Sequence, residues 1–125
     1  MMMSEGTKYT SRTIVAEENC ACTMGSGNLP VFATPALVAL MENAAMLAVA
    51  DSLPEGSTTV GGEISIKHLK PSAIGTEITA TATLSSAEGR KLTFNVEAHD
   101  ASGLVGEGTH VRFVVDKEKF MSRIY

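Results

Sequence analysis

A chain of 125 residues has room for one domain with a substantial core, and too little for two cores joined by a linker. Its 44% hydrophobic and 19% charged residues exclude a disordered or collagen-like chain. A net charge of -4 argues against nucleic-acid binding, which needs a basic surface to neutralise phosphates. With no Trp, 2 Tyr and 4 Phe there is also little on which bases could stack.

In chain order, Met1 to Tyr9 is polar and lacks the charged stretch, apolar run and small-residue cleavage site of a secretory signal. Residues 1–125 are read as a single domain, with residues 1–7 expected to be disordered and to add nothing to it. Lys8 to Glu17 reads as a weak strand. Cys20 and Cys22 stand too close for an unstrained bridge in most backbones, and with no Cys or His cluster following them they supply only two metal ligands. Free thiols in a reducing cytoplasm are expected.

Between Pro30 and Ala50 the single charged residue is Glu42. Leu37, Val38, Leu40, Met41, Ala44, Ala45, Leu47, Ala48 and Val49 cover nearly the whole circumference of a helix, which is therefore expected to be buried on all sides. Thr34 is placed as its N-cap and Pro35 at its first position, where a missing N–H does no harm. Pro54 and Gly56 stop it. Glu42-Asn43 interrupts the apolar run before it reaches the roughly 20 residues a membrane span requires, so no membrane association is expected.

The period then changes from helical to two. Thr58 to Leu69 reads as a strand ended by Lys70-Pro71. Ile78, Ala80, Ala82 and Leu84 alternate with polar neighbours, as do Leu92, Phe94, Val96 and Ala98, and a longer Val- and Phe-rich strand follows from Leu104 to Asp116. The connections at Ser86–Arg90 and Asp100–Gly103 are short enough for antiparallel hairpins. One helix against such a meander is an α+β domain with exposed sheet margins, a liability commonly managed by dimerisation.

Glu42 is the most informative residue, because a carboxylate on an apolar helix must be paired, hydrogen-bonded or protonated. His68 shares strand parity with Ile64 and Ile66 and so points to the apolar side. If the helix packs there, Glu42 and His68 converge, and the carboxylate can fix the tautomer of a general base. Thr34 is explained by capping alone, and it lies about 12 Å along the helix axis from Glu42, so direct contact is not assumed and a substrate or the partner subunit would have to bridge the interval. Gly61-Gly62 marks either a close backbone approach to a ligand or a bulge. His110 and Arg112 share one strand face, with His110 a second titratable candidate.

The segment Val31-Phe32-Ala33-Thr34-Pro35-Ala36-Leu37-Val38-Ala39-Leu40-Met41-Glu42, then His68, Ser86-Ala87-Glu88-Gly89-Arg90-Lys91-Leu92, Ala98-His99-Asp100 and Gly106-x-Gly108-Thr109-His110-x-Arg112, together resemble the fluoroacetyl-CoA thioesterase-like family of hotdog-fold proteins over Lys8 to Phe120. The resemblance implies a hotdog fold, a long helix wrapped by about five antiparallel strands. It implies Thr34, Glu42 and His68 as the catalytic set, and Gly61 near the bound thioester; Gly62, His110 and Arg112 join Gly61 as substrate-binding candidates. The family's namesake carries phenylalanines just before the helix as a lid over its acyl group, whereas here Met24-Gly25-Ser26-Gly27-Asn28-Leu29 has none.

The expected protein is a cytoplasmic acyl-CoA thioesterase with no metal or cofactor beyond the CoA of its substrate, working as a homodimer or a tetramer. His68 would be the general base. Glu42 would orient it or attack the carbonyl itself, and Thr34 would hydrogen-bond the thioester or be the nucleophile. An acyl-CoA hydratase or dehydratase and a non-catalytic acyl-CoA-binding dimer are the rival readings.

Overall fold

The computed structural model describes residues 3–125. β1 (Lys8–Ile14), β2 (Ser57–His68), β3 (Glu77–Glu88), β4 (Lys91–Asp100) and β5 (Gly103–Asp116) form one antiparallel sheet in the order β1-β3-β4-β5-β2. The period-two pattern does what it predicts: Ile78, Ala80, Ala82 and Leu84 of β3, and Leu92, Phe94, Val96 and Ala98 of β4, are all buried on one face.

Helix α2 (Thr34–Val49) lies across that face and buries Leu37, Met41, Ala44, Ala45 and Val49. These recur at helical spacing, and each large side chain so buried contributes about 1.5–3 kcal/mol. The helix is not buried on all sides: Ala39, Asn43 and Leu47 are exposed, because a single sheet can cover only one side of a cylinder. Thr34–Ser52 satisfies the length and composition of a membrane span, yet its inner stripe already packs on the sheet.

Two glycines permit the close approach of helix, β5 and β2. A Cβ at Gly106 would stand 2.9 Å from the Lys67 carbonyl oxygen and 3.0 Å from Leu37 Cδ2, and one at Gly108 would overlap the Ser65 carbonyl oxygen. The Gly106-x-Gly108 spacing is thus a packing device on the face that meets β2.

The short helix α1 (Ala21–Met24) precedes α2, and α3 (Lys117–Ser122) follows β5, with the Asp116 side chain accepting from the Lys119 N–H. Residues 3–7 belong to the fold, contrary to expectation. Gly6 N–H donates to the Leu84 carbonyl and Leu84 N–H to the Thr7 carbonyl, each at 2.8 Å, while Met3 packs on the core. Backbone pairing with β3 holds this segment whatever its side chains. Met1 and Met2, expected to be disordered, lie outside the described residues.

Candidate active site

The Thr-Pro start of α2 is shifted by one residue from the sequence expectation. Ala33, in extended conformation, is the N-cap and makes no side-chain cap, so Thr34 occupies the first helical position and Pro35 the second. The Thr34 hydroxyl is therefore not used as a cap. Its Oγ1 lies 2.8 Å from Nδ1 of His68, the last residue of β2. A hydroxyl and an imidazole at this distance form a nucleophile–base pair, or hold a water between base and substrate.

His68 Nε2 is buried and has no hydrogen-bond partner. Burial pushes the ring's pKa below its usual value, while the backbone of Lys70 pulls weakly in the other direction. His68 is thus neutral at pH 7 and able to accept a proton. Thr34 and His68 line a cleft of about 310 Å³ with Val31, Phe32, Leu69 and Lys70. The N-terminus of α2 opens nearby, where its dipole favours negative charge developing on a polarised carbonyl.

Glu42 does not join His68 within the chain. It sits two helical turns further on, with Oε2 3.8 Å from Arg112 Nη1 and 4.0 Å from His110 Nε2. Packing of α2 on the sheet gives each turn of the helix a different strand neighbourhood, so one carboxylate cannot serve both histidines of the strand pair. The expected convergence of Glu42 and His68 is thereby corrected, while the expected separation of Thr34 from Glu42 stands.

The two glycines of β2 point in opposite directions, as neighbours on a strand must. A Cβ on Gly61 would come within 2.8 Å of Glu42 Oε2 and 3.5 Å of Arg112 Nη1, so this glycine opens the floor beneath the carboxylate. A Cβ on Gly62 would stand 2.5 Å from Cε2 of the Phe113 ring on the outer face. Gly62 thus faces away from Glu42 and sits at a bulge, where the β2–β5 register shifts between Gly61 and Glu63.

His110 and Arg112 face the same side as Gly61, but at 1% and 6% exposure they sit beneath Glu42 rather than at an open surface. Arg112 donates from Nε to Thr59 Oγ1 at 2.8 Å and from Nη2 to the Thr59 carbonyl at 2.9 Å. Thr59 was not singled out from the sequence; its parity with Gly61 on β2 is the signal that could have found it. Also unanticipated is the clasp beside the cleft, where Lys70 Nζ reaches Asp100 Oδ1 at 2.9 Å and Ser102 Oγ at 2.6 Å. The Lys70 ammonium holds the Asp100 carboxyl down to about 2.

Ahead of α2, Phe32 is part of the core and Leu29 is 62% exposed. No aromatic ring from Met24–Leu29 closes the cleft, since that segment contains none.

A curled antiparallel sheet on one long helix, with a Thr–His pair at the helix start and a carboxylate on its inner turns, defines a hotdog-fold thioester hydrolase. The sequence pattern of the fluoroacetyl-CoA-specific thioesterase family matches residues 15–118. The fluoroacetyl-CoA thioesterase of Streptantibioticus cattleyicolor is 42% identical over 94 residues, covering 75% of this chain and 68% of that one. A solved structure of a fluoroacetyl-CoA thioesterase superposes with a TM-score of 0.92 at 33% identity, over 99% of this chain and 96% of that chain. A Thermus thermophilus thioesterase superfamily member gives 0.89 at 27% identity, over 96% and 89%. The chain belongs to the fluoroacetyl-CoA-specific thioesterase family.

Proposed function

We propose that this enzyme hydrolyses a short or medium acyl-CoA to the free acid and CoA, using Thr34, His68 and Glu42. The observation that carries the reading is the 2.8 Å contact between Thr34 Oγ1 and His68 Nδ1 at the mouth of a cleft. His68 takes a proton from the Thr34 hydroxyl or from a water it holds. The oxygen adds to the thioester carbonyl, the C–S bond breaks, and His68 returns the proton to the departing thiolate. Where Thr34 carries the acyl group, a water resolves the ester by the same route. Relatives of the family include a thioesterase variant solved with fluoroacetate and CoA, 35% identical with a TM-score of 0.89 over 94% of this chain and 99% of that one, which supports an acyl-CoA substrate. No further cofactor enters the chemistry.

The working unit is a homodimer, and pairs of dimers can build a tetramer. β2 is an edge strand, and part of the apolar surface of α2 is uncovered. Antiparallel pairing of two β2 strands would bring the His68 end of one protomer toward the Gly61 end of the other. That arrangement supplies the missing convergence, with Thr34–His68 from one chain and Glu42–Gly61 from its mate. Cys20 and Cys22 carry free thiols, which fits residence in a reducing cytoplasm; membrane and nucleic acid have no part in the reading.

Incubation with fluoroacetyl-, acetyl-, butyryl- and phenylacetyl-CoA, with release of free thiol as readout, tests the activity. Without a lid ring, fluoroacetyl-CoA is expected to be preferred over acetyl-CoA by less than about tenfold, since one small substituent is discriminated by only about 1–3 kcal/mol in a shaped pocket. A larger acyl group should do at least as well. Absence of thiol release from the whole panel refutes the activity, and light scattering that finds a folded 13.1 kDa monomer refutes the shared site.

A further inference from the structure

Arg112 has five N–H donors and no acceptor. Thr59 takes the Nε hydrogen and one of the Nη2 hydrogens. Nη1 lies 3.2 Å from His110 Nε2, and because the guanidinium can only donate, Nε2 must accept. The single ring proton of His110 is then on Nδ1, which donates to the Glu63 carbonyl at 2.8 Å. Both nitrogens of this imidazole are engaged, and its tautomer is fixed by its neighbours. The second Nη1 hydrogen is taken by neither Thr59 nor His110, and Nη1 stands 3.8 Å from Glu42 Oε2, an ion-pair separation.

We infer that His110 is a positioning residue for thioester hydrolysis: it holds the Arg112 guanidinium in the orientation that keeps Nη1 paired with the Glu42 carboxylate. The inference rests on the proposed thioesterase reading, in which Glu42 belongs to the site. A chain of contacts runs from the Glu63 carbonyl on β2 through His110 and Arg112 on β5 to Glu42 on α2. The groups facing His110 are Arg112 from its own strand, Glu42 from the helix, the Glu63 carbonyl from β2 and the Phe94 ring from β4, whose centroid is 6.3 Å away. Burial and Arg112 press its pKa down against the weaker pull of the Glu63 carbonyl and Glu42. The ring is therefore neutral at pH 7, as its role as acceptor requires. At 1% exposure His110 acts on the substrate only through Arg112 and Glu42, and Gly61 leaves the room in which that carboxylate is held.

The test compares His110→Phe, which keeps an aromatic ring beside Phe94 but neither nitrogen, with His110→Gln, which retains a donor and an acceptor. Steady-state kinetics use the best acyl-CoA of the panel, with thermal unfolding followed in parallel. In His110→Phe kcat is expected to fall about tenfold with KM within about twofold, since a displaced group loses stabilisation realised in the transition state. His110→Gln should return kcat to within about threefold of the parent, whatever its Tm. A folded His110→Phe enzyme with undiminished kcat overturns the inference, as do Phe and Gln variants impaired alike. If His110→Phe does not fold, Thr59→Val decides, because it removes one of the bonds that hold Arg112: kcat several-fold lower at unchanged KM supports the role, and an unchanged kcat overturns it. A parent enzyme inert on every thioester overturns the thioesterase reading and this inference with it, whereas an active parent beside an unimpaired His110→Phe overturns the inference alone.

Discussion

His68 ends β2 and His110 lies within the neighbouring β5, and their nitrogens are used in opposite ways. His68 holds a single polar partner, the Thr34 hydroxyl, keeps Nε2 unpartnered and borders a cleft. His110 has a donor on one side and an acceptor on the other and is sealed beneath Glu42. Buried polar groups are normally satisfied, and a fully satisfied network rigidifies its surroundings. An imidazole with capacity left over is free to move a proton; one with none can only hold its neighbours in place. In the proposed mechanism the same residue type thus supplies chemistry at one end of the site and geometry at the other.

Replacing the reactive groups breaks the comparison most severely. His68→Ala and Glu42→Gln should each lower turnover by at least about 10²-fold in a folded protein, because a positioned base or carboxylate acts chiefly in the transition state. Near-parental hydrolysis by either variant, measured by thiol release, would remove that residue from the catalytic set. The effect of His110→Phe should be about an order of magnitude smaller than that of His68→Ala, and equal effects would erase the distinction between the two histidines.

The adjacent glycines sharpen it further. Gly61→Ala puts a methyl 2.8 Å from Glu42 Oε2, and the carboxylate must shift, so kcat should fall about tenfold with little change in stability. Gly62→Ala meets the Phe113 ring, a half-exposed side chain that can turn aside. Its kcat should stay within about twofold, with a stability loss of about 1 kcal/mol. Matched kinetics and urea titrations of the two variants check the contrast, and equal kcat losses would mean that Gly61 has no special relation to the site.

The smallest effect is on acid stability. Burial lowers the pKa of both His68 and His110, so below about pH 6.5 the unfolded chain binds protons that the folded chain resists, and stability falls with pH. This contribution is complete above the unfolded pKa and is lost as pH falls toward the folded values. Asp100 acts lower down: with its pKa at about 2 against an ordinary 3.8, it stabilises the fold above that ordinary value and the gain disappears as pH approaches 2. Urea midpoints across pH should show a slope between pH 7 and 5 that His110→Phe flattens and Asp100→Asn leaves alone; a slope unchanged in His110→Phe would contradict the buried neutral imidazole.

The sequence by itself determined the helix from Thr34 onward, the four long strands after it, the parity that turns His68 inward and sets His110 and Arg112 on one common face, and Glu42 as the anomalous charge. All of these follow from periods of 3.6 and two, which are properties of neighbouring residues. It also carried the resemblance that named the catalytic set. Tertiary structure alone decided who meets whom. Thr34 and His68 are 34 residues apart, His110 and Glu63 47, and Arg112 and Thr59 53, and no local period reports which strand passes beneath which helical turn. That the two consecutive glycines serve opposite faces, that Thr34 is bonded to a histidine rather than to its own helix, and that one side of α2 stays uncovered are consequences of how a single curled sheet can wrap a cylinder, a matter of packing over the whole chain.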